Sequence, residues 1–60
     1  MKYINLYEIK ITSKIDGRQE LAYAFADKLQ EAVARFVEAD TEEKFVITSV
    51  KIFAKEVFSV

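Results

Sequence analysis

Lys14-Ile15-Asp16-Gly17-Arg18-Gln19-Glu20-Leu21-Ala22-Tyr23-Ala24-Phe25-Ala26 is the stretch on which the fold turns. Asp16-Gly17 is the turn signal in the first half of the chain, and Gly17 is its one glycine. The pair suits a two-residue hairpin loop, or a longer turn with glycine in the left-handed region. Glu20 to Ala26 is also rich in helix formers. Asp16 with Gln19 would cap a single helix over about residues 17–39, with Leu21, Phe25, Leu29, Ala32 and Phe36 along one side. Against that β–long helix–β alternative, Leu21, Tyr23 and Phe25 alternate strictly with Ala22 and Ala24, a period of two. A long helix would also leave only two strands, barely a sheet. The alternation decides for a strand over residues 19–25.

Loop length then sets the register. A two-residue loop at Asp16-Gly17 places Ile11 opposite Ala22 and Glu8 opposite Phe25. A three-residue loop, Ile15-Asp16-Gly17, places Ile11 opposite Leu21, Ile9 opposite Tyr23 and Tyr7 opposite Phe25. It also gathers Thr12, Lys10 and Glu8 with Glu20, Ala22 and Ala24 on the other face. The second sorts large from small side chains and is the expected register.

Around this hairpin the remaining elements fall into place. Lys2 to Thr12 predicts a strand, β-branched and aromatic, alternating cleanly from Tyr7 onward. Ile4 and Leu6 depart from the pattern and sit on the opposite face. Asp27 to Ala39 predicts a helix: Leu29, Ala32, Val33, Phe36 and Val37 form one apolar stripe, and Glu31 and Arg35 stand at ion-pair spacing. Asp27 with Gln30 has the capping-box pattern. Asp40 to Lys44 is a polar connector. Phe45 to Phe53 is the strongest strand, with Val46, Thr48, Val50 and Ile52 on one face and Phe45, Ile47, Ser49, Lys51 and Phe53 on the other. Ala54-Lys55-Glu56 interrupts it, and Val57 to Val60 either continues a bent strand or folds back as a short fourth one.

The expected fold class is a single α+β domain over residues 1–60: ββαβ, a three-stranded antiparallel sheet in order 2-1-3, with the helix on one face. A right-handed crossover delivers the third strand to the free edge of the first. The expected core is Tyr7, Ile9, Ile11, Leu21, Tyr23, Phe25, Leu29, Val33, Phe36, Val37, Val50 and Ile52.

Sixty residues without Cys or His exclude disulfides, the common zinc sites and imidazole catalysis. Below about seventy residues a lone core supplies roughly 3–5 kcal/mol, so self-association is a natural remedy. Nine basic against ten acidic residues give a net charge of −1, with signs interspersed and no polybasic block. No apolar run reaches the ~18 residues of a membrane span, and no signal-peptide pattern is present, so a cytoplasmic protein without membrane partners is expected.

Catalytic candidates are few. Ser13 and Lys14 are neighbours that point to opposite faces of a strand. Ser49 and Lys51 share a face, but as sheet-surface residues. Asp40, Glu42 and Glu43 lack the spacing of a calcium loop, and one glycine cannot build a phosphate-binding loop. No catalytic residue, cofactor or metal site is expected, and the protein reads as non-enzymatic.

The anomaly is apolar surplus. Ile47 and Phe53 fall on the face away from the expected core, and Val57, Phe58 and Val60 make an apolar terminus. Such surplus marks an interface. Ile47, Phe53, Val57, Phe58 and Val60 are the expected interface residues, and a two-fold homodimer built by the third strand and the tail is the expected assembly, alongside an unidentified protein partner. The alternative is a sheet that stacks single-stranded nucleic acid on Tyr3, Tyr7, Tyr23, Phe45 and Phe53, helped by lysines and Arg18. Clustering of Lys10, Lys14, Arg18 and Lys51 on the helix-free face would favour it. The ββαβ layout is common among small phage and mobile-element proteins, a likeness of layout that no motif supports.

Overall fold

The computed structural model describes residues 2–59. Four elements follow one another: β1 (Tyr3–Ser13), β2 (Gln19–Ala26), α1 (Leu29–Ala39) and β3 (Phe45–Ser59). The strands form one antiparallel sheet in the order β2-β1-β3. Residues 19–26 are strand, so the long-helix alternative is excluded. Val60 lies outside the described residues, and the short fourth strand allowed for the tail is instead the far half of β3, which pairs with β1 as far as Tyr3↔Ser59.

The register of the hairpin differs from expectation by one residue. Ile11 stands opposite Glu20, Ile9 opposite Ala22 and Tyr7 opposite Ala24. The loop has four residues, Lys14 to Gly17. The Ser13 amide donates to the Arg18 carbonyl at 2.9 Å, and the Gly17 amide closes back on the Ser13 carbonyl at 3.0 Å. Gly17 takes φ +71°, the left-handed value that its missing Cβ allows. The Asp16 carboxylate accepts the Arg18 amide at 3.0 Å, and that bond, followed by one from the Ser13 hydroxyl, holds the Asp16 carboxyl below the usual carboxylate range.

A one-residue slip exchanges the faces of a whole strand. Ala22, Ala24 and Ala26 therefore look toward α1, while Leu21, Tyr23 and Phe25, expected in the core, are half exposed on the other side. The physical reason is the helix. Small side chains on β2 let α1 approach closely enough for Ala32 to be fully buried against Tyr7 and Ala26, with Ala24 and Val50 packed alongside. Tyr7, Ile9 and Ile11 of the central strand are buried as expected, and Ile9 is 0% exposed. Leu29 and Val37, also expected in the core, are exposed at the margins of the helix. Ile52 is on the helix side yet 41% exposed. Eleven residues of helix span only about 16 Å, whereas the molecule is 42 Å long.

The helix begins two residues later than expected. Lys28 occupies the N-cap position in an extended conformation without a side-chain cap. Asp27 is committed elsewhere. Its carbonyl accepts the Asn5 side-chain amide at 3.3 Å, and its carboxylate pairs with Lys2 at 3.3 Å. The nearby Glu31 carboxyl, then Lys2, hold the Asp27 carboxyl below its ordinary value. The Glu31–Arg35 pair forms at 2.9 Å. At the far end Asp40 organises the connector: its carboxylate accepts the amides of Lys44 (3.0 Å) and Phe45 (3.1 Å). Glu43, without glycine's freedom, takes φ +52° there.

Candidate interaction surface

The helix-free face of the sheet is built from alternate residues of all three strands. β1 contributes Ile4, Leu6, Glu8, Lys10 and Thr12, and β2 contributes Gln19, Leu21, Tyr23 and Phe25, from the observed pairing. On β3 the alternation is broken by bulges. The pairing steps from Lys10↔Ser49 to Ile11↔Ile47, so Thr48 is the extra residue, and its hydroxyl donates to the Lys10 carbonyl at 3.0 Å. The extra residue joins Phe45 and Ile47 to Val50 and Ile52 on the helix side, and Val46 to Ser49, Lys51 and Phe53 on the open side. Ile47 thus leaves the face expected for it. It pairs with Ile11 and, with Phe36 and Phe45, lines a shallow hollow beneath the end of α1.

Further bulges lie at Phe53 and across Lys55–Val57, where Glu56 has φ +52°. They bring Phe53 over Tyr23, with ring centroids 5.4 Å apart in an edge-to-face contact, and Phe58 over Phe25 at 5.2 Å. Asn5 anchors the outer bulge. Its side-chain oxygen accepts the Glu56 amide at 2.9 Å while its amide group reaches Asp27. Nothing in the sequence pattern singles out Asn5, because its work depends on a bulge fifty-one positions away.

The result is an apolar patch of Leu6, Leu21, Tyr23, Phe25, Phe53 and Phe58, with Phe53 58% exposed. Of the expected interface residues, Phe53 and Phe58 belong to it, Val57 is exposed on the same stretch of β3, and Ile47 does not take part. Polar groups lie toward the hairpin end. Glu8, nearly covered, accepts Tyr23 Oη at 3.4 Å and pairs with Lys51 Nζ at 3.5 Å. Of the four basic residues, Lys10 and Lys51 share this face. Arg18 is held by Asp16 at the turn, and Lys14 lines the hollow near Phe36 and Asp40. They do not cluster.

Ser13 Oγ accepts the Ile15 amide at 3.3 Å, a turn contact. Lys51 serves Glu8 and Asp40 serves the backbone. Among the described residues no three His, Cys, Asp or Glu are gathered as metal ligands, and no helix is long and apolar enough to cross a membrane. No protein-family model matches the chain, and neither a curated protein nor a solved structure does so.

Proposed function

We propose that the chain is a non-catalytic protein-interaction module that self-associates, with the helix-free sheet face as its docking surface and a second copy, face to face, as its occupant. The observation that carries this reading is the aromatic patch of Tyr23, Phe25, Phe53 and Phe58, paired ring to ring and half open to water. Two sheets pack about 10 Å apart through such faces. A stable interface removes about 800 Å² from each partner, less than a fifth of the 4417 Å² this chain exposes, so one face is enough. Lys10 stands in the same row as Leu21, and Glu8 and Lys51 in the same row as Tyr23, so the face carries an ion pair among its apolar side chains. Sedimentation equilibrium tests the reading. The native chain is expected to assemble with a micromolar dissociation constant, about −8 kcal/mol. Phe53→Glu with Phe58→Glu should halve the assembled mass while the far-ultraviolet circular dichroism is kept. A compact native monomer at hundreds of micromolar would sink the reading.

A second reading rests on Lys10 and Lys51 standing beside the aromatic rings, as on sheets that stack single-stranded bases. Glu8 weighs against it, since it neutralises Lys51 at the centre of the face, and the Tyr23 and Phe53 rings meet at 77° rather than lying flat. Titration with labelled oligonucleotides at low salt should show no binding. Micromolar binding that weakens steeply with salt would install nucleic acid as the partner, because counterion release produces that slope.

A further inference from the structure

β2 and β3 are the two outer strands, and their edges are unlike. β3 meets β1 through three register shifts, carries a residue at positive φ, and bears Lys51 and Lys55. Bulges and lysines are the devices by which an edge is kept from pairing. β2 has none of them: its eight residues run in unbroken register with β1, without lysine, proline or positive φ. The direction of its free backbone groups follows from the turn. Ser13 N–H donates to the Arg18 carbonyl, which makes that a hydrogen-bonded pair. By alternation Glu20, Ala22 and Ala24 point their backbone groups at β1. Gln19, Leu21, Tyr23 and Phe25 point theirs outward. Beside this edge a groove of about 330 Å³ runs between Tyr23, Ala24 and Phe25 and the helix residues Arg35, Phe36 and Ala39.

We propose that β2 pairs antiparallel with β2 of a second copy, joining two face-to-face dimers into a closed tetramer. The proposal rests on the self-association described above. A second copy is the occupant because antiparallel pairing of identical strands is closed by a two-fold axis and satisfies the outward amides and carbonyls of both copies at once. On the helix side the incoming strand presents Ala22 and Ala24, small enough to sit beside α1. On the open side its Leu21, Tyr23 and Phe25 extend the aromatic row across the seam. The seam axis is normal to the sheet and the face-to-face axis lies parallel to it. Two perpendicular two-folds generate a tetramer of two six-stranded sheets, aromatics inside and helices outside.

Mass and cross-linking test the seam separately from the face. The native chain should sediment as about 28 kDa, four times its 6.9 kDa. Leu21→Pro removes an outward amide without touching the β1 ladder, and should give a dimer. Phe53→Glu with Phe58→Glu should give a different dimer, and all three changes together a monomer. A native dimer that Leu21→Pro leaves intact and the Phe53/Phe58 pair dissociates would overturn the seam and spare the face. A native dimer with the opposite response would spare the seam and overturn the face. A native monomer would overturn both. In case Leu21→Pro fails to fold, single cysteines report the same geometry, since the chain has no native cysteine. The midpoint of β2 falls between Ala22 and Tyr23, so one of them lies at the axis. Cα atoms facing across such a seam are about 4.5–5.5 Å apart, within disulfide reach. In the Phe53→Glu/Phe58→Glu background, where the face-to-face contact is removed, Ala22→Cys or Tyr23→Cys should oxidise to a covalent dimer, while Lys51→Cys on β3 stays monomeric in denaturing gels. Cross-linking through Lys51→Cys in that background, or through none of the three, overturns the proposal.

Discussion

The two faces of one three-stranded sheet carry similar stocks of apolar side chain and meet opposite fates. Under α1, Tyr7 packs with Ala26 and Ala32, with Ala24 and Val50 alongside, and Ile9 and Ile11 are buried on the same face. On the other side Leu21, Tyr23, Phe25, Phe53 and Phe58 are larger, yet each stays about half exposed, and among the described residues the rings are covered only by one another. Size therefore does not decide which face is core. Close approach of the covering layer decides it, and alanine rather than phenylalanine permits that approach. The face with the bulkier residues is left half open to water.

The sharpest way to break this contrast is to truncate both faces. Ile9→Ala should cost about 2–5 kcal/mol, comparable to the entire stability of so small a domain, and leave the chain unfolded in far-ultraviolet circular dichroism. Leu21→Ala, read at low concentration where assembly does not contribute, should cost under about 1 kcal/mol in urea melts. Equal losses would mean that the faces are not distinct. The alanine floor can be probed next. Ala32→Leu inserts volume where none is free and should destabilise by about 1–3 kcal/mol, whereas Ala34→Leu, on the exposed side of α1, should be close to neutral.

Much of this architecture is legible in the residues. The stripe from Leu29 to Val37, the β-branched run of β1 and the single Asp-Gly signal are local periodicities, and they suffice for the element order, the 2-1-3 sheet and the burial of Tyr7, Ile9 and Ile11. The register is not local. It depends on whether Lys14 belongs to the strand or the loop, one residue's difference, and sorting large side chains together chose wrongly because the helix had to be fitted afterwards. The bulge at Thr48 is illegible for the same reason: it appears only when Ile11 and Ile47 compete with the strand's own alternation. Phe53 and Phe58 are recognisable as surplus in the sequence, but the alternation of β2 reads their partners Tyr23 and Phe25 as core.

Smaller effects test the turn that sets the faces. Gly17→Ala should lose about 1–2 kcal/mol. A Cβ there meets nothing within 4 Å, so the whole cost is the left-handed backbone. A thermal melt unchanged by this substitution would show that the four-residue loop does not hold the register. Acid gives the smallest signal. The Asp16 carboxyl is held below its ordinary value by the Arg18 amide, so its ionised form is favoured by the fold. That contribution is present above the ordinary aspartate value of about 3.9 and disappears as pH falls through the lower folded value. Asp16→Asn should flatten this part of the acid limb of stability against pH, and an unaltered limb would remove Asp16 from the account.

The short helix has a consequence in time as well as space. Beyond the Asn5↔Ala26 pair, where β2 ends, the sheet thins to a two-stranded ribbon, Tyr3 and Ile4 against Phe58 and Ser59, next to the Lys55–Val57 bulge. Local opening needs only the contacts it breaks, and here these are a few ladder bonds, the Phe25–Phe58 contact and the Asn5 clasp. Backbone amides of the ribbon should therefore exchange with deuterium by sub-global opening, while those of Tyr7 to Ile11 wait for the whole domain to unfold. The protomer is a graded spring, rigid at the hairpin and yielding at the end that presents Phe58.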